Sequence, residues 1–246
     1  MRLPWLDPHN DSQPFPDPGR ALSEPDGLLA VGGNLSPSRL LRAYRMGIFP
    51  WYSADQPILW WSPDPRLVLF PELVRISRSL RKSLRKNHFS VTADTAFAAV
   101  IDACAAPRDG ASGTWITPEM NQAYCQLHQL GHAHSIEIWQ QSELVGGLYG
   151  VAMGQVFYGE SMFSRISDAS KVALVVLATQ LQRWNFALID CQATTDHLLS
   201  MGALEIPRST FLKLLKRYCP QPNQPNPWRL DLDLLDSLFA SARSHE

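Results

Sequence analysis

Residues 156–171 read VFYGESMFSRISDASK, and residues 173–181 continue as ALVVLATQL. The first half has the aromatic, alternating character of a strand, the middle is a polar loop, and the end is an apolar helix. A strand that feeds a helix N-terminus through a polar loop is a natural anion and acyl-group site, because unpaired backbone N–H groups converge there. Upstream, the alternation of residues 134–164 predicts a three-stranded antiparallel meander with turns near Gln141-Ser142 and Met153-Gly154. Downstream, FALIDCQ (186–192) reads as a buried strand. Strands and helices follow in an order that predicts an α+β protein with a mixed sheet.

The remaining elements fall around this core. Ser36-Pro37 is a cap-plus-proline helix start, and that helix should stop at Gly47. FSVTAD (89–94) is a strand, with Asp94 expected to cap the helix 95–104. A glycine-bearing link leads to a second cap-plus-proline start at Thr117-Pro118, for a helix through Leu130. Short helical structure should follow Thr194–Asp196, and residues 209–218 read as a helix. Residues 1–25 should lie extended against the body. The proline-rich 220–229 segment and the 230–242 tail read as a linker and a loosely attached amphipathic end.

Composition narrows the function. With 22 Lys and Arg against 23 Asp and Glu, the net charge is −1, which argues against nonspecific coating of nucleic acid. No run approaches the roughly 18 apolar residues of a membrane span. The N-terminus lacks the apolar segment of a secretory signal. The four cysteines show no CxxC spacing and read as reduced thiols of a cytoplasmic protein. One stretch departs from neutrality. Residues 75–86, RISRSLRKSLRK, place Ile76, Leu80 and Leu84 on one stripe and Arg75, Arg78, Arg81, Lys82, Arg85 and Lys86 on the rest. A solvated face is one reading; so many cations with no acid among them favour contact with a phosphate backbone.

Several chemistries are disfavoured. His128, His132 and His134 are split by Gly131, and with no HExxH they predict no metal site. Ser161 and Ser164 lack a GxSxG elbow. Cys191, in an apolar strand beside Asp190, reads as an inert thiol. Asp190 and Gln192 are two apart on LIDCQ, so both should leave one face while Ile189 and Cys191 leave the other. Such a polar pair is either a strand-end cap or a device that orients a reacting group.

Taken in order, GLLAVGGNLSP, RMGIFPW, WWSPDPR, GTWIT, LGHAHSIE, LVGGLYGV, FYGESMFSR, ASK, LIDCQ and DHLLSMGA span about residues 27 to 203. With these motifs the chain resembles the leucyl/phenylalanyl-tRNA–protein transferase family. The resemblance implies a small N-terminal α/β domain (1–62), an acyltransferase domain of the coenzyme-A-dependent N-acetyltransferase (GNAT-like) fold (63–220), and a linker and tail (221–246). It implies a cytoplasmic aminoacyltransferase of the N-end rule pathway, acting as a monomer without a cofactor. The partners would be Leu-tRNA and Phe-tRNA, with Met used less readily, and acceptor proteins with N-terminal Arg or Lys. Asp190 and Gln192 would be the catalytic pair. Trp51, Trp115, Leu148, Phe157, Glu160 and Leu177 would line the aminoacyl pocket, or an aromatic among them would stack the terminal adenine. An aromatic is expected at position 177, where this chain has Leu, so the pocket floor should be roomier. Arg78, Arg81, Lys82, Arg85, Arg165, Ser170 and Lys171 would hold the tRNA. Asp190, Glu160 and Asp196 are the candidate acids for the acceptor's positive charges.

That chemistry needs little acid–base strength. The donor ester is activated, and an α-amine with a pKa near 7.7–8 is about a tenth neutral at pH 7. Alignment of two bound reactants supplies roughly 7–11 kcal/mol, against roughly 3–5 kcal/mol from general-base help. Two alternatives stand beside it: a small-molecule N-acetyltransferase of the same fold, and a noncatalytic tRNA-binding module. Against the first, RISDASK has no glycine between Arg165 and Lys171 to cradle a coenzyme pyrophosphate. Against the second stands the Asp190/Gln192 face. Phe157 and Glu160 are an odd number apart, so a regular strand sends them to opposite faces. Their meeting at one ligand predicts a bulge near Gly159, which would also free a backbone N–H as an oxyanion donor.

Overall fold

The computed structural model describes residues 3–86, 89–107 and 115–240. The link at 108–114, with the glycine and threonine of GTWIT, and the side chain of Lys86 lie outside the described residues. The strands in chain order are β1 (Trp5–Leu6), β2 (Leu28–Gly32), β3 (Phe49–Pro50), β4 (Leu59–Trp61), β5 (Arg66–Leu69), β6 (Ser90–Ala93), β7 (Ala133–Gln140), β8 (Glu143–Met153), β9 (Val156–Ser164), β10 (Leu188–Gln192) and β11 (Leu204–Ile206). The helices are α1 (Pro37–Arg45), α2 (Arg78–Lys86), α3 (Phe97–Ala105), α4 (Pro118–Gln129), α5 (Ala169–Arg183), α6 (Asp196–Ser200), α7 (Arg208–Tyr218) and α8 (Leu232–Ala240).

Caps set several of these boundaries. Ser36 accepts the Arg39 N–H at the start of α1, and Thr117 accepts the Met120 N–H at the start of α4. Arg75 precedes α2 rather than joining it, because its N–H donates to the Met201 carbonyl and Ser77 Oγ accepts the Leu80 N–H. Asp94 does not cap α3. Its backbone turns at φ 57°, and its carboxylate takes hydrogen bonds from Ser135 and Trp228 N–H groups and meets His134 Nδ1 at 2.8 Å.

The N-terminal strands form a four-stranded sheet of order β1-β2-β4-β3, and the rest form a seven-stranded sheet of order β11-β5-β10-β9-β8-β7-β6. β7, β8 and β9 are the expected antiparallel meander. β9 and β10 are parallel and joined through α5, as parallel neighbours require a long crossover. One apolar layer lies under α5 and holds Leu148, Phe157, Leu174, Leu177 and Ile189. The other, shared by α1, α3, α4 and the small sheet, holds Tyr44, Tyr124, Tyr149 and Phe163.

Two irregularities shape the centre of the large sheet. Tyr149 pairs with Ser161 and Gly150 with Gly159, so Glu160 is an extra residue and the ladder bulges where the sequence predicts it. β10 pairs with β9 only over Leu188–Asp190, opposite Val156–Tyr158. Beyond that point the two strands part.

Candidate active site

The parted strands open onto a cavity of about 1210 Å³. Its walls come from residues 159–165 of β9 and the loop that follows, from Ile189 and residues 191–195 around β10, from α5, and from the small sheet. Because it passes between two strands, it has walls on both faces of the sheet. Leu148, Phe157, Leu174, Leu177 and Ile189 line it on the α5 side. Phe49, Trp61, Ala103, Trp115, Tyr149 and Phe163 line it on the other. Trp51 stands half-exposed with its ring 5.6 Å from Trp61. The parting of the strands, more than the bulge, brings Phe157 and Glu160 to one space, since they still face opposite layers. The bulge instead reverses the alternation after Glu160, so that Met162 packs toward α5 and Phe163 away from it.

Glu160 sits between the two lobes. Tyr44 donates to one carboxylate oxygen at 2.8 Å, Tyr124 to the other at 2.7 Å, and Gln192 Nε2 donates at 2.8 Å. The two tyrosine hydroxyls are also 2.7 Å apart. Burial lifts the carboxyl to about 7, and Asp190 pushes in the same direction. The three hydrogen bonds pull the other way and do not offset burial. A proton count agrees. Two tyrosines have two protons for three mutual contacts; a protonated Glu160 donates to one tyrosine, which then donates to the other, and all three contacts are filled. Burial holds Tyr44 and Tyr124 well above the usual phenol range, so they remain donors.

Asp190 lies behind this group, outside the cavity wall. Arg66 meets it in a bidentate pair, Nε to Oδ1 and Nη2 to Oδ2, both 2.7 Å, with both side chains buried. The guanidinium is also sandwiched by the Phe49 and Phe211 rings at 4.7 and 4.8 Å. Oδ1 of Asp190 accepts the backbone N–H of Gln192 at 2.9 Å, where that residue takes a left-handed φ of 63°. Asp190 and Gln192 do leave the same face, as their spacing predicts, and Ile189 and Cys191 pack on the other. The carboxylate fixes the main chain of Gln192, while Glu160 holds its amide side chain. Burial pushes the Cys191 thiol up, which fits an inert role.

The other predicted residues divide. Arg165 and Ser170 line the cavity, and the Ser170 N–H donates to Ser164 Oγ at 2.8 Å at the start of α5. Lys171 does not line it; Asp168 holds its ammonium at 3.0 Å. Arg78, Arg81, Lys82 and Arg85 are exposed on α2, away from the cavity. Among the described residues none of the four has an acid at ion-pair distance. Ser83 Oγ donates to Asp168 at 2.6 Å and ties that helix to the start of α5. Asp196 is exposed on α6 and off the wall, whereas Asp26 and Glu205 line it. Sequence reasoning missed Tyr44, Tyr124, Arg66, Asp26 and Glu205. Arg66 ends the quoted motif WWSPDPR; nothing local marks the others. No group of His, Cys, Asp and Glu able to hold a metal ion occurs among the described residues.

Two family models match the chain. The leucyl/phenylalanyl-tRNA protein transferase model covers residues 68–216, and the model of that family's N-terminal domain covers residues 33–64. A leucyl/phenylalanyl-tRNA–protein transferase of Aromatoleum aromaticum is 62% identical over 92% of this chain and 94% of its own. One of Pseudomonas fluorescens is 58% identical over 92% and 99%. Among solved structures, a GCN5-related N-acetyltransferase from Kribbella flavida is similar at a TM-score of 0.34 and 13% identity, over 69% of this chain and 60% of that one. That likeness is too distant to bear on the chemistry.

Proposed function

The chain belongs to the leucyl/phenylalanyl-tRNA protein transferase family, and from that premise we propose that it moves Leu or Phe, and less readily Met, from aminoacyl-tRNA to an N-terminal Arg or Lys of a protein. The observation that carries the reading is the Glu160–Gln192 pair, set between an apolar lobe and an aromatic one in a single cavity. The donor side chain enters the α5 lobe of Leu148, Phe157 and Leu177, and the terminal adenosine rests among Trp51, Trp61 and Trp115. Arg165 and Ser170 meet the 3′ end, and α2 with Arg78, Arg81, Lys82 and Arg85 meets the phosphates of the tRNA body. Lys171 serves that end indirectly, through Asp168.

The acceptor amine attacks the ester carbonyl. Its proton passes to the Glu160 carboxylate, which is half ionised near neutrality, and finally to the ribose oxygen as the ester bond breaks. Gln192, its amide nitrogen on Glu160, offers its carbonyl oxygen to align the amine. Asp190 is the positioning half of the pair, holding Gln192 through its backbone. A backbone N–H freed by the bulge takes the developing oxyanion. Asp26 and Glu205 attract the acceptor's basic side chain. Among the described residues no helix is long and apolar enough to cross a membrane. In this reading the enzyme acts in the cytoplasm as a monomer, marking proteins for N-end rule degradation.

The test is transfer of labelled Leu and Phe from charged tRNA to peptides that begin with Arg, Lys or Gln. Transfer to the first two and not the third is expected, with acceptor KM raised in Asp26→Asn and Glu205→Gln. Absence of transfer by the unaltered chain would sink the reading.

A further inference from the structure

Residues 220–229 read as a linker and the tail from 230 as a loosely attached end, yet both pack on the body. Trp228 is only 3% exposed. Its ring lies flat on His134, 3.9 Å away and 1° from parallel. Its edges meet Trp184 at 5.1 Å and Phe186 at 6.1 Å. Its backbone N–H donates to Asp94 at 2.9 Å. Further along, Asp231 is bonded twice to Gln180 on α5, through its N–H at 2.8 Å and its carboxylate at 3.0 Å. The segment lies beyond Lys216, where the family match ends.

A further aromatic neighbour of the indole is Phe157, at 5.8 Å between ring centroids. Phe157 faces the cavity, and Trp228 does not. The Phe157 ring is confined toward the sheet as well. A Cβ on Gly150 would stand 2.6 Å from its Cε1 and Cζ, so the ring lies directly over bare β8 backbone. One wall of the α5 lobe is therefore a ring seated on a glycine and flanked by a tryptophan of the C-terminal segment.

We propose that Trp228 is a positioning residue that sets the depth of the donor side-chain lobe by acting through Phe157. The proposal rests on the reading that this lobe takes the donor's Leu or Phe. Without the indole, Phe157 can retreat and the lobe deepens. A deeper lobe fills poorly with Leu and better with Phe, because fit in an apolar pocket scales with the methylenes it encloses.

The test measures kcat/KM for Leu-tRNA and Phe-tRNA in the full chain, unaltered and as Trp228→Ala and Trp228→Phe, together with the affinity for uncharged tRNA. In Trp228→Ala the Phe-to-Leu preference should rise at least about threefold, with uncharged tRNA bound as before. Trp228→Phe should restore most of the original ratio. If the alanine variant does not fold, Trp228→Leu carries the same comparison. An unchanged ratio overturns the proposal, as does an equal loss on both donors that phenylalanine does not rescue. Failure of the unaltered chain to transfer either donor would instead strike the proposed function.

Discussion

Glu160 has three hydrogen-bond donors and yet titrates near 7, because burial outweighs them. In Glu160→Gln the proton acceptor is lost while the shape is kept. Transfer should fall about 10²-fold or more, and kcat/KM should lose the limb that rises through pH 7, keeping only that of the acceptor amine near 8. A limb that survived in the variant would assign it elsewhere. The same shift has a sign for stability. The folded carboxyl lies above its unfolded value of 4.5, so its contribution is full below 4.5 and lost as pH rises through about 7. The variant's stability should vary less over that window, in urea melts at fixed temperature. Behind Glu160, Arg66→Met would leave Asp190 buried without its cation, at a cost of about 3–5 kcal/mol. Arg66→Met with Asp190→Leu should recover part of that; a double variant that loses the sum of the two single losses would mean the pair is not coupled. Asp190 was legible because a carboxylate in an apolar strand is conspicuous. Tyr44 and Tyr124 were not, because each sits on an ordinary amphipathic helix, and only the fold turns two core-like tyrosines onto one carboxylate.

At the scale of elements, α2 keeps its fold and its charges on separate faces. Leu80 and Leu84 are buried, while Arg78, Arg81 and Arg85 are exposed. Replacing those three by Gln should leave the helix intact in circular dichroism and flatten the salt dependence of tRNA binding. The slope of log K against log salt should fall by about 2–3, from roughly 0.7–0.9 per phosphate contact. An unaltered slope would make this a solvated face. The periodicity of residues 75–86 made the stripe readable in advance, whereas the bulge lies where expected on a ground the fold does not use, since Phe157 and Glu160 still face opposite layers. Asp94 and the tail misled for one shared reason. An Asp before a helix and a proline-rich stretch near a terminus have strong local meanings. Here the Asp94 carboxylate instead binds the Trp228 N–H, so each overrides the other's local preference.

At the scale of the whole molecule, the site exists because β9 and β10 stop pairing after three residues and leave a slot through the sheet. No local signal announces such a parting, since it depends on β10 turning to pair with β5 through a shift in register between Asp190 and Gln192. The slot gives the two ends of one substrate different surroundings. Leu177→Trp would fill the α5 lobe, and Trp115→Ala would strip the opposite one. With adenosine and a non-hydrolysable leucyl-adenosine amide as calorimetric probes, the variants should separate. Leu177→Trp should abolish the gain that the leucyl group adds and leave adenosine bound as before. Trp115→Ala should weaken both probes alike, by about 1–3 kcal/mol for a lost base stack. If both substitutions weaken both probes equally, the cavity is one undivided pocket, and the donor's side chain and its adenosine are not sorted by the faces of the sheet.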